Sequence, residues 1–299
     1  MEIGIIQNRP GIGDLCLFLP FIHLISKKYK KKIIIFTKKR SKAKEILKYD
    51  PHISKIYYLD KIKRNQNLIL IKLIRENKIQ KIFIFHFGIR LWLISLLAGV
   101  KKIYFYGYLK KNVNISKFIK KKISLWLNKK KLVYKCKVYA PLFKKSDNIV
   151  IGIGGSGINK KWPIQFYIEL INELKKKNYK SFIIAGGPQE RKDYYKIFQN
   201  TKDVKLKSLC NFSIDKCIKI LAGSMYYIGN DTGFMHLCAS LKIKSFGLFG
   251  DTPTNYSDYN KLIIPVMPKG YSKVSYNHKL MSFISPEDVL KTLRENRVF

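Results

Sequence analysis

The chain alternates two hydrophobic periods. Short, nearly continuous apolar runs, as in strands buried on both faces, fall between segments whose apolar residues return every third or fourth position, as on one side of a helix. The runs predict strands over residues 3–7, 33–37, 54–59, 82–86, 102–106, 149–153, 181–185, 225–228 and 245–249. The longer period predicts helices over 15–29, 41–48, 68–77, 89–98, 115–131, 166–176, 215–222 and 286–294, with further helices opening near Glu190 and after Gly233. Strand and helix in strict alternation imply parallel sheets covered on both faces. Pro20 lies inside the first helical pattern and predicts a kink or a restart there. The segment 115–131 is basic and amphipathic, carrying Phe118, Leu125 and Trp126. It reads as a surface helix resting its apolar side on the core, with a membrane-lying helix as the alternative.

The pattern lapses around Tyr139-Ala140-Pro141-Leu142 and turns polar over 144–148. That places a boundary between a first domain, 1–145, and a second, 146–285, with a final helix in 286–299. A chain of 299 residues also exceeds what one core usually holds. Beyond Asp251 the sequence is rich in Tyr and Lys and shows no clear period until the last helix.

Candidate chemistry sits in the turns that follow the strands. The first turn, Asn8 to Asp14, opens a helix with Asp14 at its entrance. Asp14 reads either as a cap of that helix or as an exposed carboxylate able to take a proton from a bound alcohol. The 149–153 strand runs into Gly154-Gly155-Ser156-Gly157, and Lys160-Lys161-Trp162 precede a helix with Pro163 at its first position. Gly186-Gly187-Pro188-Gln189-Glu190 follows the next strand; Glu190 either caps a helix or accepts from a ribose diol. Gly229-Asn230-Asp231-Thr232-Gly233 is a strand end, a polar turn and a helix start. Asp231 and Thr232 are good N-cap types, and the first turn of a helix offers unpaired N–H groups to an anion, a phosphate above all. His236 falls on the side of that helix nearest the terminus. The turns after 225–228 and 245–249 are expected to share one sheet edge and frame a crevice. The bland alternative is a capped helix beside a satisfied histidine.

Charge and cysteines narrow the class. The formal charge is +40, from 59 Lys and Arg against 19 Asp and Glu. Arginines are few beside the lysines, and arginine is the better reader of phosphates and bases, so AT-rich codon usage is preferred over specific nucleic-acid recognition. A lysine coat would still draw the protein to an anionic membrane surface. Five scattered cysteines without metal-ligand spacing read as reduced residues of a cytoplasmic protein, and no apolar stretch is long enough to span a bilayer. Any membrane contact is therefore expected to be peripheral.

Four motifs in order carry a resemblance: Gly13-Asp14-Leu15 with Pro20; Lys160-Lys161-Trp162-Pro163; Gly186 to Glu190; and Asn230-Asp231-Thr232-Gly233 with His236 and Phe249-Gly250. Together they make the chain similar to glycosyltransferase family 9, the heptosyltransferases of lipopolysaccharide core assembly. The resemblance implies a GT-B fold, two Rossmann-like doubly wound domains facing a central cleft, with acceptor bound by the first and nucleotide sugar by the second. It implies an inverting, metal-independent transfer with no cofactor, from a nucleotide sugar such as ADP-heptose to a lipopolysaccharide or related glycan at the inner face of the inner membrane. By matching position it implies Asp14 as general base, Lys160 (or its neighbour Lys161) as phosphate ligand and Glu190 as ribose ligand. Asp231, Thr232, Gly233 and His236 would line the diphosphate. Departures lie at Leu241 to Ser245 and at Asp251-Thr252-Pro253-Thr254, where the family usually has a small residue with Pro and a Pro-Thr pair. Other GT-B activities, sugar-nucleotide epimerisation among them, and a polyanion-binding protein are the competing classes.

Overall fold

The computed structural model describes residues 2–61, 65–86, 88–107 and 114–299. The chain divides into two compact units, Met1–Tyr139 and Ala140–Phe299. The first runs β1 (Glu2–Gln7), α1 (Ile12–Tyr29), β2 (Ile33–Thr37), the one-turn α2 (Ala43–Ile46), β3 (Ile53–Tyr58), α3 (Gln66–Glu76), β4 (Ile79–Ile84), α4 (Ile89–Leu97), β5 (Lys102–Phe105) and α5 (Ile115–Trp126). Its five strands are all parallel in the order β3-β2-β1-β4-β5.

The second unit runs β6 (Ile149–Gly152), α6 (Ile164–Lys176), β7 (Ser181–Ala185), α7 (Arg191–Asn200), β8 (Lys205–Ser208), α8 (Ile214–Leu221), β9 (Tyr226–Asn230), α9 (Gly233–Ser240), β10 (Lys244–Leu248), β11 (Ile263–Val266) and α10 (Pro286–Glu295). Six parallel strands lie in the order β11-β10-β9-β6-β7-β8. Both sheets are doubly wound, so the strand order reverses between β1 and β4 in one and between β6 and β9 in the other. Ligands of open α/β sheets bind outside the carboxyl ends of strands at such a reversal.

Two strands escape the sequence pattern, and both lie at or near a sheet edge. β8 reads Lys-Leu-Lys-Ser, and β11 contains Pro265, which an edge strand tolerates because no neighbour needs its missing N–H. α10 is no appendage: Val289, Leu290 and Leu293 enter the same core as Leu170, Leu174 and Trp162. The apolar stripe of α5, Ile115, Ile119 and Ile123, is buried, so this helix rests on its own unit.

Pro20 does not break α1, which is continuous from Ile12 to Tyr29. A proline at this position leaves the carbonyl four residues earlier, that of Cys16, without its helical N–H. The Cys136 thiol donates to that carbonyl at 3.2 Å. A partner 120 positions away in sequence thus fills the gap that the helix cannot.

Candidate active site

In the second unit the reversal point is built on Asn230, the last residue of β9, which is wholly buried. Its Oδ1 accepts from the Trp162 backbone N–H at 3.1 Å and lies 2.9 Å from the Tyr167 hydroxyl. Its Nδ2 donates to the carbonyls of Ile153 (3.2 Å) and Gly154 (2.8 Å). One side chain therefore ties the end of β9 to the glycine turn after β6, to the segment before α6 and to α6 itself. The approach is close because Gly152 and Gly229 face each other in register. A Cβ on Gly229 would stand 2.3 Å from the Gly152 carbonyl oxygen, and one on Gly152 would stand 1.9 Å from the Tyr227 hydroxyl. The Tyr227 hydroxyl, so admitted, donates to the Asn230 carbonyl at 2.8 Å. Trp162 is fixed from the other side by its indole N–H, which donates to Ile284 O at 2.7 Å.

Beside this knot lies a cavity of about 570 Å³ lined by Gly155, Gly157, Lys161, Trp162, Glu190 and Asp193, among others. Glu190 is buried. Its Oε2 accepts from the Gly187 N–H at 2.8 Å, capping its own turn, and its Oε1 is 2.8 Å from Lys161 Nζ. Lys161 also reaches Asp193 at 3.5 Å. Burial alone would lower the pKa of Lys161, but the two carboxylates outweigh it and hold the ammonium above its ordinary range. The neighbouring lysines are thus different: Lys161 is committed to two acids, whereas no ion pair is formed by Lys160 among the described residues. Lys160 ends a short 3-10 turn, Ile158–Lys160.

Thr232 is the N-cap residue of α9, yet its side chain makes no capping bond and instead lies 3.5 Å from the Tyr227 hydroxyl. In contrast, Asn114, Ser213 and Ser285 cap α5, α8 and α10 with their side chains. The first turn of α9, opened by Gly233, so leaves its N–H groups to another acceptor. His236 is buried one turn in. Its Nε2 is 3.3 Å from Asp231 Oδ1 and its Nδ1 is 2.9 Å from the Tyr259 hydroxyl. A carboxylate can only accept, so Nε2 carries a proton, and in the neutral ring Nδ1 accepts from Tyr259. Tyr259 lies in the stretch where the sequence shows no period, and no local signal marks it.

The turns after β9 and β10 share one sheet edge, as expected, because the two strands are parallel neighbours. β10 lies outside β9, away from the reversal point, and the Asp251 carboxylate of its turn is buried, accepting from the Lys279 N–H at 2.8 Å. That acid holds the following segment in place.

At the reversal point of the first unit, Asp14 Oδ2 accepts from the Gly11 N–H at 3.1 Å, and Oδ1 is 3.5 Å from Arg9 Nη1. About a quarter of the Asp14 side chain is exposed. His86, just past β4, has its pKa lowered by burial and then by Arg9, Arg90 and Lys38. These cations rim the same carboxyl edge, and a pattern of apolar periods had no means of showing them together. Among the described residues no group of three or more His, Cys, Asp or Glu could hold a metal ion.

Two parallel, doubly wound units with glycine turns at both reversal points are the architecture of the GT-B glycosyltransferases. The profile of "Glycosyltransferase family 9 (heptosyltransferase)" matches residues 115–274, just over half of the chain, and the chain belongs to that family. It is 28% identical to lipooligosaccharide heptosyltransferase 2 of Campylobacter jejuni serotype O:2 across 94% of this chain and 93% of that protein. The match to the serotype O:6 protein of the same name, also 28%, spans 55% of this chain and 57% of the relative. The solved structure of Escherichia coli ADP-heptose lipopolysaccharide heptosyltransferase II superposes with a TM-score of 0.78 at 16% identity, covering 99% and 98% of the two chains.

Proposed function

We propose that the chain transfers heptose from ADP-heptose to a lipopolysaccharide core or related glycan, with inversion and without a metal. The observation that carries this reading is the uncapped N-terminus of α9, set beside Asp231 and His236 and fastened through Asn230 to the cavity of Lys161 and Glu190. Relatives named as heptosyltransferases, and a structural neighbour named as an ADP-heptose heptosyltransferase, support the choice of sugar and nucleotide.

The chemistry follows from the residue types. A single displacement at the anomeric carbon breaks its bond to the diphosphate as the acceptor oxygen bonds. Asp14 takes the proton of that hydroxyl, which raises its nucleophilicity as charge develops. The leaving diphosphate gains negative charge, which the N–H groups of Gly233 and its neighbours and the Lys160 ammonium stabilise. Their fixed orientation costs little reorganisation during the reaction. His236, held by Tyr259, gives its Nε2–H to Asp231 and so fixes that carboxylate beside the helix start. In Glu190 each oxygen has one partner, and a carboxylate accepts up to about four hydrogen bonds, so capacity for a ribose hydroxyl is retained. The cations around His86 suit an acceptor that carries acidic groups.

The test is incubation with ADP-heptose and a series of truncated core acceptors, following ADP release and the mass of the glycan. Release coupled to the gain of one heptose is expected. No release with any acceptor, or turnover with another nucleotide sugar only, would overturn the assignment.

A further inference from the structure

Helix α4 carries two apolar stripes, and only one is covered. Leu91 and Ile94, with Ala98 just beyond, are buried in the core formed with β4 and α3. Ile89, Leu93, Leu96 and Leu97, spaced i, i+4, i+7 and i+8, lie on another side and are 66%, 46%, 51% and 63% exposed. α3 runs alongside: Arg90 of α4 donates to Asn67 at the start of α3, and Arg75 near its end donates to the carbonyl of Leu97 at the end of α4. Leu68 of α3, next to the Asn67 that Arg90 bonds, is 63% exposed. Five large apolar side chains on two adjoining helices thus stand in water, and a folded monomer rarely leaves so much apolar surface without use.

The charge decides the occupant. Arg75 and Arg90 join the two helices, Lys72 of α3 and Lys101 just beyond α4 add charge, α4 has no acidic residue, and the acid of α3, Glu76, is 3.7 Å from Lys72. A second copy of this chain would bring the same cations, on a molecule of net charge +40, against each other. An anionic bilayer accepts both features at once, apolar side chains into the acyl boundary and cations onto phosphates. With nine residues α4 is about 14 Å long, which suits a helix lying in the interface and excludes a spanning one. Among the described residues no helix is long and apolar enough to cross a membrane. α4 also opens just past the carboxyl end of β4, at the sheet edge that holds Asp14 and His86. We propose that the outward stripe of α4, with Leu68 and these cations, is the surface on which this chain docks to an anionic phospholipid bilayer. The proposal rests on the lipid-linked acceptor of the preceding section for its purpose, and on the patch alone for its geometry.

The experiment compares the full-length protein with the double variant Leu93→Ser, Leu97→Ser in sedimentation with vesicles of phosphatidylglycerol and phosphatidylethanolamine, and with vesicles of phosphatidylcholine. Wild type should bind the anionic vesicles, and the variant at least about tenfold more weakly, as expected when two inserted leucines become polar. Added salt should weaken wild-type binding while leaving part of it. Equal binding by both proteins, or binding that salt removes completely, would reduce the surface to a lysine coat and overturn the proposal. Concentration-dependent self-association of wild type that the variant loses, without vesicle binding, would make the patch a contact between copies and equally overturn it. Transfer to a water-soluble, deacylated acceptor should be unchanged in the variant. Absence of that transfer in both proteins, with the vesicle difference intact, would sink the heptosyltransferase reading and spare the docking surface.

Discussion

Replacing Asn230 by Ala should cost the second unit far more than the loss of one side chain suggests. The amide serves four partners and is wholly buried. The Tyr167 hydroxyl keeps its bond to Gly152 O at 2.8 Å, so three groups are orphaned: the Trp162 N–H and the carbonyls of Ile153 and Gly154. A buried polar group left without a partner costs about 1–3 kcal/mol, which gives roughly 3–6 kcal/mol here once some water enters the small void. That is a large share of the ~5–15 kcal/mol that holds a domain folded. Of the three tryptophans, Trp92 and Trp126 lie in the first unit. In a Trp92→Phe, Trp126→Phe background, fluorescence during urea unfolding therefore reports on Trp162 and the second unit alone. Asn230→Asp should be nearly as damaging, because its second oxygen would face two carbonyls in place of a donor. A loss below about 1 kcal/mol for Asn230→Ala would refute the keystone role, since one unmet hydrogen bond costs as much. Calorimetric titration with ADP on the same proteins should show affinity falling together with stability.

Asp14→Asn should lower kcat by about 10²–10⁴ while donor affinity changes little, as expected when a base is lost and a cap is kept; near-normal kcat would remove Asp14 from that role. Cys136→Ala should cost about 0.5–1 kcal/mol, and this cost should shrink in a Pro20→Ala background, where the restored N–H serves the Cys16 carbonyl; equal costs in a double-mutant cycle would refute the compensation. The pKa of His52 is lowered from 6.5 by burial, then by His23, with Lys27 and Lys137 adding and Asp50 opposing. Its contribution to stability is thus full above pH 6.5 and lost as pH falls through its folded value. The melting temperature of wild type should therefore drop more between pH 7 and 5 than that of His52→Gln, and parallel curves would exclude His52 as a source of the slope.

Much of this was legible in the chain. The apolar runs located nine of the eleven strands among the described residues because central strands of a parallel sheet are buried on both faces and need continuous hydrophobicity. β8 and β11 stayed hidden because strands at a sheet margin are released from that need, and one holds a lysine pair and the other a proline. The motif residues Asp14, Glu190, Asp231, Thr232, Gly233 and His236 were all visible as turn chemistry. Tyr259 and Cys136 were not, because their meaning lies in partners 23 and 120 positions away. The amphipathic helix α5 looked the better membrane candidate from its period, yet its stripe is spent on the core, whereas α4, whose only charged residue is Arg90, keeps an uncovered apolar stripe.

What the sequence by itself determined is therefore local: where strands end, where glycine lets the backbone turn, and which polar residues stand at helix starts. Only the tertiary structure decided how those turns combine. The winding of each sheet, which no local pattern encodes, puts the turn after β6 beside the turn after β9 at the reversal point, with β10 on the other side of β9. It also told Lys160 from Lys161. The two are equivalent in an unbroken run of letters, but folding delivers Glu190 and Asp193 to only one of them, because charge pairing depends on distance in space.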